Sequence, residues 1–332
     1  KQLLFSEPII EKLRKKHDIL CTSREYKEVT KLAKIRHFDL IFVGKHGGGN
    51  KKSKLKASIE RIEKLTKKIN KFKPDVVISF GSPEAARISF GLGIKHIMFC
   101  DSPHANAVMK LTLPLIQKLL IPYVIPKKEF SKYGINEKDI VQYKAIDAAV
   151  TMKRKISEDI NSPFKNNKKK NILIRLEEEE ASYTSKSSKI IPIIQKIAND
   201  HKNENIVVLG RYTKQINNLQ KIIGNKVKIV KMTFDGKYLL NKTDIFIGSG
   251  GTMTAESALM GIPTISYNAV PNIVEEFLVK KSLVKRETNP NKVSNHIKKI
   301  FETKNDQNQK RAKKIVKEME DPIEKLIKII KN

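Results

Sequence analysis

Along the chain, short β-branched runs alternate with longer segments whose apolar residues recur every three or four positions. The first pattern predicts buried strands and the second amphipathic helices. Up to residue 160 the strand-sized runs fall at 18–22, 39–43, 76–80, 96–100 and 123–125. Helical patterns lie between them at 7–16, 24–36, 53–71 and 83–91. From residue 171 onward, runs at 172–174, 206–209, 227–230, 244–247 and 264–267 repeat the alternation, and a lysine-rich helical tail covers 292–328. Alternation at this spacing predicts βαβ units and parallel sheets, so the fold class is α/β.

Between the two halves stands NSPFKNNKKKN at 161–171, with Pro163, four lysines and one aromatic. This is linker composition. A length of 332 residues exceeds one ordinary core. The chain is therefore expected to form two Rossmann-like domains, residues 1–160 and 161–332, the second carrying the helical tail.

The 39% hydrophobic content supports two buried cores. No apolar run reaches the roughly 18 residues of a membrane span. Cys21 and Cys100 flank strand-like runs without metal-ligand spacing, and read as small buried thiols in a reducing compartment. The opening residues form a charged helical pattern and not a secretory leader, so the cytoplasm is the expected location.

A formal net charge of +31 changes the list of partners. It fits attraction to an anionic membrane face or to nucleic acid. The excess is spread along the chain, however, and is mostly lysine, whereas directional phosphate or base recognition favours arginine. No helix-turn-helix, zinc-finger or aromatic RNA-binding signature accompanies it. Solvated surface is the plainest reading, a peripheral membrane surface comes next, and nucleic acid is disfavoured.

Ligands of open parallel sheets bind at the carboxyl ends of strands. The most informative segment there is DIFIGSGGTMTAESALMGIPTISY, residues 244–267. A buried strand runs into Gly248, Ser249, Gly250 and Gly251, then into a helix from Thr252 that Gly261 ends. Glycines let backbone amides approach a phosphate, and the helix dipole favours the anion. Glu256 lies one turn into that helix, on a face able to accept ribose hydroxyls. A tight turn with an acid complementing the dipole is the alternative reading. A capping box places the acid three residues after the cap, whereas Thr252 and Glu256 are four apart. A dinucleotide fingerprint would require glycine at Met253, and a Walker loop at 44–49 would require lysine at Asn50.

The pattern of a strand, SGG, Thr, Glu four residues on, and then G-x-P-x-I resembles the nucleotide-sugar site of GT-B glycosyltransferases. It is equally similar to that of the non-hydrolysing UDP-N-acetylglucosamine 2-epimerases. More specifically, LFSEPIIEKL, GKHGGGNKKSKL, FKPDVVISFGSPEAARISFGLG, CDSPHA, EEEEASY and GSGGTMTAESALMGIPTISY resemble the domain-of-unknown-function 354 family across residues 3–267. That resemblance implies a GT-B fold, a cleft, and a nucleotide-diphosphate ligand on Ser249, Gly250, Gly251, Thr252 and Glu256. Members are expected to begin with a strand ahead of the LFxxPII helix, whereas this chain begins on that helix.

Other strand-end loops supply further candidates. Gly44–Gly49 precede Lys51, Lys52, Lys54 and Lys56, four cations where a helix dipole disfavours them, which reads as a loop closing on an acidic substrate or as a mobile basic loop. Ser82 and Pro83 open a helix, leaving Glu84 as an acceptor contact or a plain first-turn acid. Ser102 and Pro103 are expected to open a helix in the same way, and beside them Asp101 and His104 read as a candidate base and its orienting partner, or as a turn acid and an exposed histidine. Arg175 is placed to clamp a diphosphate ahead of the acidic run 177–180, which itself reads as a solvated loop and helix start. Arg211 and Tyr212 flank the position of a uracil-type base. The leading expectation is a metal-independent glycosyltransferase using a UDP-linked donor and a sugar or lipid-linked acceptor, with Asp101, His104 and Glu84 on the acceptor side. A 2-epimerase, or a non-catalytic binder of anionic polymers or membranes, stands as the alternative.

Overall fold

The computed structural model describes residues 2–156, 162–165, 167–177, 190–210, 212–230, 234–269, 272–303 and 306–331, without the side chains of 27 and 28. The chain divides into two compact units, Lys1–Arg154 with Met319–Asn332, and Lys155–Glu318.

In the first unit, β1 (Thr22–Glu25) and β2 (Ile41–Lys45) form a parallel pair. A second parallel sheet runs in the order β3 (Val76–Phe80), β4 (Lys95–Phe99), β5 (Lys118–Pro122) and β6 (Ile140–Tyr143). Such strands read as continuous apolar runs because both faces are covered. Ile97, Met98, Leu119, Leu120 and Ile121 are completely buried. The helix Gln2–Leu13 lies against this sheet through Phe5, whose ring stands edge-on to Phe80 at 5.1 Å and Phe99 at 5.0 Å. Edge-to-face contacts match the positive ring edge to the negative face.

The second unit holds one six-stranded parallel sheet. It is built from β7 (Asn171–Arg175), β8 (Asn205–Leu209), β9 (Lys228–Val230), β10 (Ile245–Gly248), β11 (Thr264–Ser266) and β12 (Lys285–Arg286). The spatial order is β12-β11-β10-β7-β8-β9. Counted within the unit this is 3-2-1-4-5-6 read from the other edge, the order of a Rossmann domain, and the chain reverses direction of sheet growth between β7 and β10. Strand alternation serves two cores. Ile172, Ile174, Ile245 and Ile247 face the helices Ile190–Asp200 and Pro290–Glu302. Leu173, Val207 and Phe246 face Leu239, Leu240 and Met253 on the other side.

Several boundaries move. The strand expected at 18–22 lies at Thr22–Glu25, and the run at 123–125 is the exit from β5. β6 and the two-residue β12 go beyond the expected strands, since IVQY carries a polar residue and KR is all charge. The linker-like 161–171 is partly structural: Phe164, its one aromatic, is buried in the Leu173 core, and Asn171 already belongs to β7. The tail forms three helices, and the last, Pro322–Lys331, belongs to the first unit. Ile323 and Leu326 are buried there, and Lys95 donates to the Ile329 carbonyl at 3.0 Å. Linear order hides this return, because a lysine-rich amphipathic helix fits either core.

His96 is fully buried, with Nε2 2.8 Å from the Ser79 hydroxyl, and Nδ1 meets no hydrogen-bond partner. A charged imidazole there would strand a proton, and burial lowers its pKa from 6.5 to about 4. Between those values the unfolded chain binds a proton that the folded chain refuses. The first unit is therefore expected to lose stability as pH falls from 6.5 towards 4, by about 3 kcal/mol across the span. Urea unfolding of His96→Gln at a series of pH values should show that slope removed; an unchanged slope would assign the loss to other groups.

Candidate nucleotide site

The switch point of the second sheet falls where β7 and β10 end, and there the sequence has its glycine turn. Gly248 closes β10 in close contact: a Cβ there would stand 2.5 Å from the Phe246 ring and 2.6 Å from Thr254 Oγ1. Gly250 turns the chain with φ +94°, a conformation L side chains rarely adopt. Its amide donates to Thr254 Oγ1 at 3.2 Å. Gly251 then precedes the helix Thr252–Leu259 without offering a side-chain cap. First-turn amides have no intrahelical acceptor, so this end suits an anion held by backbone N–H groups. Ser249 and Thr252 are half-buried at its rim.

A second layer fixes the turn, and sequence reading passed over it. Asn272 caps the helix Ile273–Lys280 by accepting from the Glu275 amide at 2.9 Å, while its Nδ2 donates to the Gly250 carbonyl at 3.0 Å. Glu275 has no solvent exposure, and both its oxygens meet Arg286, with Nε at 3.1 Å and Nη2 closer still. The pair raises the arginine's pKa. A Cβ on Gly250 would lie 3.3 Å from Glu275 Cγ and 3.3 Å from Ser266 Oγ. The available signal was Asn272 followed three residues later by Glu275, a helix-start pattern just past β11.

Tyr267 ties the switch point together. Its hydroxyl donates to Glu177 Oε2 at 2.7 Å and lies 3.2 Å from the Arg175 carbonyl. Burial, then the nearby Glu177 carboxylate, pushes the phenol well above its ordinary pKa, so it stays a neutral donor. Glu177 was expected in a solvated acidic run, yet it is buried and its carbonyl accepts from Gln215 Nε2 at 3.1 Å.

Glu256 is 3% exposed. One carboxylate oxygen lies 3.7 Å from the position a Cβ would take on Gly236, at the start of the helix Gly236–Leu240. A buried carboxylate is costly to keep as a mere complement to a helix dipole, which works equally well in water. Arg175 sits half-buried at the end of β7, with Nη1 donating to the Gly210 carbonyl at 3.0 Å beside the end of β8. Arg211 and residues 178–180 lie outside the described residues.

In the first unit the acidic candidates differ in their surroundings. Glu84 is buried, accepting from Ser58 at 3.0 Å and from Ser82 at 3.3 Å, with the Arg61 guanidinium near enough to interact. It links the helices Pro83–Gly91 and Lys51–Phe72. Asp101 and His104 share one turn after β4, and Asp101 Oδ1 accepts from the Ser102 hydroxyl at 2.8 Å. Ser102 and Pro103 do not open a helix as expected: the next one is Asn106–Thr112. The Gly44–Gly49 loop is packed at two points, Gly44 against Arg61 and Gly47 against the backbone of Lys54.

Two Rossmann-like units, the second with its glycine turn at the switch point, place the protein in the GT-B structural class. Residues 3–332 match the family described as a protein of unknown function, DUF354, and the chain belongs to it. An uncharacterised protein of Methanocaldococcus jannaschii is 31% identical over 337 aligned positions, covering 95% of this chain and 90% of that one. Among solved structures, UDP-GlcNAc 2-epimerase from Neisseria meningitidis bound to UDP-GlcNAc superposes with a TM-score of 0.72 at 18% identity. The match covers 99% of this chain and 96% of that one. The glycotransferase of kitacinnamycin gives a TM-score of 0.60 at 12% identity, covering 95% and 91%. The protein thus has the fold of sugar-nucleotide enzymes.

Asn272→Ala removes both a helix cap and the donor to the Gly250 carbonyl. It is expected to destabilise the second unit by about 1–2 kcal/mol, read as a lower urea midpoint. A neutral result would mean that the turn holds itself.

Proposed function

We propose that the protein is an enzyme acting on a nucleotide-sugar, with the nucleoside diphosphate bound in the second unit. One observation carries this reading: the left-handed Gly250 turn stands at the switch-point end of β10, leading into a helix that buries Glu256. In this assignment Gly250 and Gly251 bring amides to the diphosphate, Ser249 and Thr252 supply hydroxyls, and Glu256 accepts from the ribose. Arg175 adds positive charge at the end of β7. The donor is UDP-linked, a choice supported by the UDP-sugar seen in the Neisseria structure.

For the reaction, sugar transfer to a sugar or lipid-linked acceptor is the reading we favour, with Asp101 or His104 as base. Departure of the diphosphate would be assisted by the amides at the helix start. Epimerisation requires two acid/base groups around the sugar. Of the acidic candidates in the first unit, Glu84 is buried between two serines, which leaves the half-buried Asp101. The second reading, 2-epimerisation, has the superposition with a nucleotide-sugar-bound epimerase in its favour.

Calorimetric titration with UDP tests the site. Glu256→Ala is expected to weaken binding roughly 10–100-fold, as for loss of hydrogen bonds to a charged group, while the melting curve of the free protein stays cooperative. Undiminished affinity in that variant removes the central assignment. Incubation with UDP-GlcNAc in deuterated water separates the reactions. Transfer leaves hydrogen at C2 of the sugar and releases UDP only when an acceptor is present; deuterium at C2 establishes epimerisation instead.

A further inference from the structure

The helix Lys51–Phe72 presents a surface that the nucleotide reading leaves unused. Its inner side is set by buried Arg61, Leu65 and Ile69. On an outer flank of its first turns, Leu55 and Ile59 are 63% and 59% exposed. Four residues apart, they form one line along the helix. Lys52 and Lys56, also exposed and also four apart, form the adjoining line, and Lys51 stands at the end. The first turn contains no acidic residue. Exposed Glu60 and Glu63 bound the patch further along the helix.

Two large aliphatic side chains held largely in water forgo the stabilisation that burial would return. Any occupant has to supply apolar depth and negative charge side by side. A second copy of this chain would oppose one lysine row to another, on a protein whose formal net charge is +31. Nucleic acid would neutralise the lysines but leave Leu55 and Ile59 wet, and the patch carries no aromatic ring for stacking. An anionic bilayer satisfies both needs, since aliphatic side chains enter the headgroup boundary while lysines reach lipid phosphates and carboxylates. We propose that this face docks on an anionic lipid surface, with Leu55 and Ile59 inserted and Lys51, Lys52 and Lys56 on the headgroups. The inference is independent of nucleotide binding.

The chain contains no tryptophan, so a single introduced indole reports its own environment. Ile59→Trp is expected to shift its emission to the blue on vesicles of phosphatidylcholine with phosphatidylserine. It should not shift on phosphatidylcholine alone, and high salt should reverse the effect. Ile222→Trp, at a 47% exposed position in the second unit, should not respond. Adding Lys52→Ala and Lys56→Ala to the Ile59→Trp protein is expected to lower vesicle affinity about 30-fold, at about 1 kcal/mol per lysine. Sedimentation with the anionic vesicles while Ile59→Trp emission stays fixed would place the contact on another face and overturn the proposal. So would an absence of sedimentation, or displacement by single-stranded RNA bound with equal affinity.

Discussion

The pairing of β10 beside β7 is the constraint on which the rest of the second unit depends. Ile245, Phe246 and Ile247 take register opposite Ile172, Leu173 and Ile174, and a one-residue slip would exchange the two cores. That register brings Gly248 to the sheet edge next to Arg175. It also places Tyr267, one residue past β11, where its hydroxyl reaches across to Glu177. The glycine turn, its buried acid and its capping asparagine are all held relative to this one ladder.

Most of the architecture was legible because parallel strands announce themselves as short unbroken apolar runs. The stretch at 76–80 was read to the residue, and the turn from Gly248 to the helix at Thr252 was read correctly in type and position. Misreadings have a common cause: they fall where tertiary contact, not local pattern, decides. β12 is two charged residues recruited as a strand by pairing with β11. Phe164 sits amid lysines and asparagines, so composition marks a linker while its single ring fills a core.

The candidate site divides along the same line. The glycine turn and the helix starts at Pro83 and Thr252 are local, and they were visible. Partnership is not. Nothing in the first-unit sequence shows that Ser58, on another helix, holds Glu84, and nothing near Glu275 shows that Arg286 neutralises it. Glu177 looked like part of a solvated acidic run because its neighbours in sequence are acids, whereas its neighbours in space are Tyr267 and Gln215. Burial turns such acids from surface charge into fixed parts of a scaffold.

The return of Met319–Asn332 to the first unit makes the second unit an insertion within it. Lys155–Glu318 is therefore tethered at both ends to a body that is not finished until the tail arrives. During synthesis the second unit can be complete while the first still lacks the helix carrying Ile323 and Leu326. Removing the tail would consequently wound the domain farthest away in sequence.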